Sequence, residues 1–214
     1  MNSLTEIYSA CKIMPALAMH QMRVAAVTKC VIDNLQIIVD ASTIIQAALF
    51  HDMGNIIKSD LSLFPEFTKP KGISYWENVK AEYIGKYGPD ENTATVTIAK
   101  EIGLDIRAIE LIQNIGFSKM LQIRDGSDLG TKILEYADMR VGPYGVVSIM
   151  ERIKEGRVRY AGKKNGFSSL RYTELTSALE QVESDIFNRS KIRPEDITDM
   201  SIAKDIGEFR DYKL

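Results

Sequence analysis

Residues 14–34 read MPALAMHQMRVAAVTKCVIDN, and this stretch decides the fold class. Leu17, Val24, Val27, Val31 and Leu35 trace one face of a helix, and His20 fills the gap in that stripe. The spacing is that of a 3.6-residue period and not of strand alternation. The helix is expected to end at Asn34 or just after it. Ser42 then fits as the N-cap of a second helix, which carries Ile45, Ala48, Leu49 and Asp52 on one side. Gly54 is expected to weaken or end it.

The same period recurs outward along the chain. Helices are expected over Tyr75–Tyr87, Asn92–Ile102, Asp105–Asn114, Thr131–Val141 and Tyr144–Tyr160. Residues 59–74, SDLSLFPEFTKPKGIS, hold two prolines and a glycine and form a loop long enough to be a lid. Gly126–Gly130 reads as a turn, and Gly142-Pro143 as a break. A glycine- and lysine-rich break follows at Gly162–Gly166. Ser168 or Ser169 caps a long amphipathic helix to about Asn188, and Pro194 opens another short one. No strand stands out, although a small hairpin near Val158–Lys164 fits the residues. The expected fold class is all-α.

Composition sets the frame. The 214 residues are 45% apolar and 26% charged, with 27 basic and 29 acidic side chains and a net charge of −2. Such a chain buries about 70% of its surface on folding and needs no staples. The charge balance carries no nucleic-acid footprint and no polybasic membrane anchor. No run reaches the roughly 18 apolar residues of a membrane span. Cys11 and Cys30 form no CxxC pair, so neither a disulfide framework nor a cysteine zinc site is expected, and a cytoplasmic location is.

The chemistry gathers on few residues. The only histidines, His20 and His51, fall on or beside apolar helix faces. Two carboxylates are as oddly placed: Asp52 beside His51, and Asp138 in the stripe Leu134–Val141. Buried ionisable groups are costly unless paired, hydrogen-bonded or bound to metal. The four are either core pairs or a ligand set. Imidazole nitrogen and carboxylate oxygen suit Mn, Fe, Co, Ni or Zn.

The order His20, His51-Asp52, Asp138 resembles the H…HD…D signature of the HD superfamily of metal-dependent phosphohydrolases. MHQMRVAAVTKCVIDN is similar to that family's first ligand helix, AALFHDMGN to its run into HD-x-G, and LEYADMRV to its last ligand helix. The resemblance spans roughly residues 14–155. It implies an HD-domain-like helical bundle over residues 1–165, with 166–214 as a C-terminal helical extension packed on the same domain. The amphipathic pattern of that extension fits either an extra helical layer or a homodimer surface.

The resemblance also implies a function. His20, His51, Asp52 and Asp138 would hold one divalent ion (Mn, Co, Ni, Fe, Zn or Mg), with Asp52 and Asp138 serving catalysis. Water would be activated to cleave a phosphate ester of a nucleotide or similar small molecule. Arg23 and Arg140 would neutralise phosphate oxygens, with Lys58 as a weaker candidate; each also reads as an ordinary ion pair.

Departures bear on this reading. Many family members carry lysine after HD-x-G, and the nucleotidases carry glutamate. Here Asn55 stands in that place and cannot do acid–base work. KYGPDENTATVTIAKEIG resembles the region that supplies an extra histidine in dinuclear members, yet it holds none. Asp60 and Glu66 are the remaining candidates for proton transfer. The alternative is a catalytically lapsed module of the same fold that binds a metal or nucleotide in a regulatory role. Lys154, Arg157, Arg159, Lys163 and Lys164 read as a solvated helix end or as a docking site for a polyanionic substrate. Tyr75-Trp76 reads as a core anchor or a stacking platform.

Overall fold

The computed structural model describes residues 2–159 and 167–214. Among these residues the chain is all-helical, with eleven α-helices: α1 (Leu4–Ala10), α2 (Pro15–Asp33), α3 (Ala41–Phe50), α4 (Ile73–Tyr87), α5 (Glu91–Glu101), α6 (Ile106–Asn114), α7 (Met120–Asp125), α8 (Leu129–Asp138), α9 (Ile149–Arg159), α10 (Ser169–Phe187) and α11 (Asp199–Phe209). Extended pairing among the described residues is limited to three isolated bridges, one of them Val141 with Val146. No described helix is long and apolar enough to cross a membrane.

Helix α2 is the hub. Its Val24, Ala25, Ala26, Val27 and Val31 are fully buried, and it packs against α3, α8 and α11. Helix α3 brings Ala47, Ala48, Leu49 and Phe50 to that core, and α8 brings Ile133, Leu134 and Ala137. The alanines matter, because small side chains let the helices that carry histidine and aspartate approach closely. The C-terminal segment is part of the same packing: α10 lies on α7 and α8, and α11 lies on α2.

Capping sets several boundaries. Asp40, and not Ser42, caps α3, its Oδ1 accepting from Thr43 N at 3.2 Å. Asp90 and Asp128 cap α5 and α8 in the same way. The segment after Asp138 differs from expectation. Helix α9 begins at Ile149 and not at Tyr144, because Val147 N donates to Arg140 O at 2.8 Å and folds 142–147 back. Ser148 and Glu151 then form a reciprocal cap, Ser148 N donating to Glu151 Oε2 at 2.8 Å and Glu151 N to Ser148 Oγ at 3.2 Å.

Helices α1 and α7 correspond to no expected element; the short helix expected from Pro194 is a 3-10 turn at Pro194–Asp196, and α11 follows from Asp199. Val158 is helical, and the rest of the expected hairpin and the break at Gly162–Gly166 lie outside the described residues, as do Tyr160, Lys163 and Lys164. The boundary drawn between 165 and 166 lies there too. The 59–74 loop contains a 3-10 turn at Pro65–Thr68. Trp76 is buried and donates from Nε1 to Thr68 O at 2.9 Å, so it anchors that loop and is not a free stacking platform.

Candidate metal centre

Three helices deliver four side chains to one place. His20 sits in the middle of α2, His51 at the C-cap of α3 with Asp52 next to it, and Asp138 at the last residue of α8. His20 Nε2 is 3.0 Å from Asp138 Oδ1 and 3.8 Å from Asp52 Oδ2. His51 Nε2 is 3.4 Å from Asp138 Oδ1 and 3.9 Å from Asp52 Oδ2. Donor atoms of His20, His51 and Asp52 all lie within 4.8 Å of one another. Ligands about 2.1 Å from one ion stand roughly 3.0–3.9 Å apart for angles between right and broadly obtuse. The four imidazole–carboxylate separations match that spacing, and Asp138 stands beside the three-residue group through its contacts with the two imidazoles.

The tautomer of His51 is set by the chain. Its Nδ1 faces Ala48 O at 2.8 Å, so Nδ1 donates there and Nε2 is the nitrogen turned toward Asp52 and Asp138. That Nε2 is buried and has no hydrogen-bond partner. Burial disfavours charge on the ring, but Asp52 and Asp138 outweigh it and push the His51 pKa up to about 9. Asp138 is driven the other way. Burial raises it, and contact with His20 and His51 more than reverses this, leaving it well below the usual carboxylate range. The field between the carboxylates therefore favours positive charge, whether a proton or a divalent cation.

The surroundings hold these groups in position. Asp52 N donates to Oε1 of the fully buried Gln21 at 3.1 Å. Asn55 Nδ2 donates to Asp52 Oδ2 at 2.6 Å, and Asn55 Oδ1 accepts from Ser59 Oγ at 3.0 Å. Asn55 is thus an orienting group for the Asp52 carboxylate. Gly54 lies hard against α5: its N donates to Thr95 Oγ1 at 2.8 Å, and a Cβ there would come within 2.8 Å of Ala94 Cβ.

A cavity of about 240 Å³ opens beside the cluster. His20, Asp52 and Asp138 line it, with Asn55, Lys58 and Asp60 from the HD turn and Phe64 and Phe67 from the lid loop. Lys58 also faces Glu91 Oε1 at 3.5 Å. Tyr144 Oη donates to Glu66 Oε1 at 2.7 Å, tying the lid loop to the loop after Asp138.

The two arginines expected at the phosphate stand elsewhere. Arg140 is buried, and its guanidinium donates to Val147 O at 2.5 Å, Pro194 O at 3.0 Å, Ile197 O at 3.1 Å and Tyr136 Oη. Its donors are engaged with backbone, and it does not line the cavity. Arg23 lies 3.6 Å from Asp199 Oδ1 on α11 and also lies outside the lining. The guanidiniums that do line the cavity are Arg152 and Arg159 on α9. Arg159 had shown only as part of a basic stretch, and Arg152 as nothing in particular.

Glu135 is a second residue that patterning passed over. It is fully buried one turn before Asp138, and Oε2 accepts from Gly116 N at 2.5 Å while Oε1 has no partner. Burial, with the Asp138 charge, pushes its pKa up to about 7 against the pull of Gly116 N–H. A glutamate on the same helix face as Asp138 was the available signal.

No protein-family model, curated protein or solved structure matches this chain.

Proposed function

We propose that the protein is a metal-dependent phosphohydrolase of the HD type, acting on a phosphate ester of a nucleotide or similar small molecule. The observation that carries this reading is His51 Nε2, buried with no hydrogen-bond partner and facing two carboxylates beside a second imidazole. His20, His51, Asp52 and Asp138 are the residues that would hold one divalent ion. Such an ion supplies Lewis acidity toward phosphoryl oxygen and makes water nucleophilic near neutral pH.

The chain's own residues do the rest. Ala48 O fixes the His51 ring, and Asn55 fixes the Asp52 carboxylate. The wall formed by Phe64, Phe67 and Val141 excludes water from one side of the substrate. Asp60 is the carboxylate in the cavity lining outside the ligand set, which makes it the group assigned to the leaving-group proton.

The test is elemental analysis of the purified protein and its His51→Ala variant, followed by a phosphate-ester panel with Mn, Co, Ni and Mg. About one ion per chain, lost together with turnover in the variant, is the expected result. Activity that survives loss of the ion contradicts it.

A second reading has its own support. Asn55 is committed to Asp52 and cannot move protons, as a metal- or nucleotide-binding regulatory module would allow. A bound ion with a panel blank for every ester and metal selects that reading.

A further inference from the structure

Two of the three cations that line the cavity stand on an element that supplies no proposed ligand. Arg152 and Arg159 belong to α9, which packs on α10. They are seven residues apart, two helical turns, and so leave the helix on one face. Glu155 lies between them and accepts from Arg152 Nη1 at 2.7 Å and from Arg159 Nε at 2.6 Å. One carboxylate thus draws two guanidiniums together, with Arg159 Nη2 also donating to Glu155 Oε2. Arg152 Nε is buried and has no hydrogen-bond partner. The Arg159 guanidinium lies 5.7 Å from the centre of the Phe64 ring, and Phe64 stacks on Phe67 at 5.2 Å.

We propose that Arg152 and Arg159, spaced by Glu155, recognise a second anionic group on the substrate. This rests on the phosphohydrolase reading of the same cavity and narrows it to phosphate esters that carry a further phosphate or carboxylate. The charge distribution separates this second group from the reacting phosphate. The reacting phosphate belongs at His20, Asp52 and Asp138. The acidic partner of Arg152 is Glu155 and not a carboxylate of that cluster. The 59–74 loop adds Phe64 and Phe67 to the same lining, an apolar wall for the body of the molecule. An ester with an anionic tail meets the two guanidiniums that line the cavity; one with a neutral tail does not.

Binding to the Mn-loaded full chain, measured by calorimetry with two non-hydrolysable probes, tests the proposal. Pentamethylene bisphosphonate carries two anions across an apolar chain, and pentylphosphonate carries one. The bisphosphonate is expected to bind at least about tenfold tighter, the scale of one charge-assisted pair in a partly buried site. Arg152→Met and Arg159→Met are each expected to erase that difference, and Arg159→Lys to restore part of it. Equal binding of the two probes by the parent protein, or a difference that persists in both Met variants, overturns the proposal. So does an equal loss for both probes, which assigns the arginines to the metal-side phosphonate.

A sugar bisphosphate and a phosphorylated hydroxy acid, assayed beside p-nitrophenyl phosphate, then show whether the second anion is phosphate or carboxylate. Because the binding test needs no turnover, the two readings fail separately. A probe difference without hydrolysis of any ester keeps the anion site and removes the hydrolase. Hydrolysis without a probe difference does the reverse.

Discussion

Arg140 Nη2 donates to the carbonyl of Ile197, 57 residues further along the chain. Arg140 follows the last proposed ligand by two positions, so this bond and its partner at Pro194 O fasten the C-terminal segment to the end of α8. Asp199 continues the fastening, accepting from Val146 N at 3.1 Å and facing Arg23. The segment after α10 is thereby coupled to the loop that borders the cavity.

Arg140→Met is therefore expected to act on stability before substrate affinity. The change removes the donors of three backbone carbonyls, two of them in the C-terminal segment. Breaking a buried charged network of this kind costs roughly 3–5 kcal/mol. Urea unfolding should show a loss of that size, with the KM of any folded fraction near the parent value. A large KM increase at full stability would return Arg140 to the phosphate.

Gly54→Ala is expected to disturb the cluster through packing. An added Cβ meets Ala94 Cβ at 2.8 Å and Thr95 N at 2.9 Å, and presses still closer to the Glu91 carbonyl. Two of these three neighbours are backbone atoms, which cannot swing aside. Overpacking of this kind costs roughly 1–3 kcal/mol. It also displaces Asp52, two residues away, so metal affinity should fall with stability. Titration with Mn beside a melting curve checks both; a variant with parental values for each contradicts the packing argument.

Much of this arrangement was legible in residue patterns, and what was not has physical causes. The α2 stripe announced itself because a buried helix face repeats every three or four residues, and His20 interrupted it visibly. His51, Asp52 and Asp138 were found the same way, as charges among apolar neighbours. Arg140 was misplaced because its acceptors are backbone carbonyls, which every residue carries and no pattern marks. Arg159 read as part of a solvated helix end or a polyanion docking site, and Arg152 drew no reading, because their pairs with Glu155 are local; the cavity they line comes from tertiary packing. Helices α1 and α7 are too short for periodicity to show. The start of α9 was missed because the Ser148–Glu151 cap went unread behind Gly142-Pro143.

Asp60→Asn is expected to slow turnover while sparing the ion. Asp60 lines the cavity, yet it is neither in the His20–His51–Asp52 group nor in contact with its imidazoles as Asp138 is. Loss of a general acid typically lowers kcat about 100- to 10,000-fold. Metal content should stay near one ion per chain, and esters with good leaving groups should suffer least. An equal loss across leaving groups, or loss of the ion, removes Asp60 from proton transfer.

Glu135 predicts a pH dependence whose sign is fixed by its burial. Its folded pKa of about 7 lies above its ordinary value of 4.5. The native state therefore keeps a proton that the unfolded chain releases over that interval. Below about pH 4.5 the two states are protonated alike and Glu135 costs nothing. As pH rises through the window stability falls, and above about pH 7 the full penalty of burying the carboxylate remains, on the order of 3 kcal/mol. Glu135→Gln mimics the protonated acid and keeps an acceptor for Gly116 N. Urea midpoints of chelator-treated protein at about pH 5 and about pH 8 should therefore converge in the variant relative to the parent, with the variant the more stable at the higher pH. His51 and Asp138 are present in both proteins, so the difference between the two curves reports Glu135 together with its coupling to them. Parallel curves would mean that Glu135 stays ionised in the core, held by Gly116 N–H and the neighbouring imidazole charge.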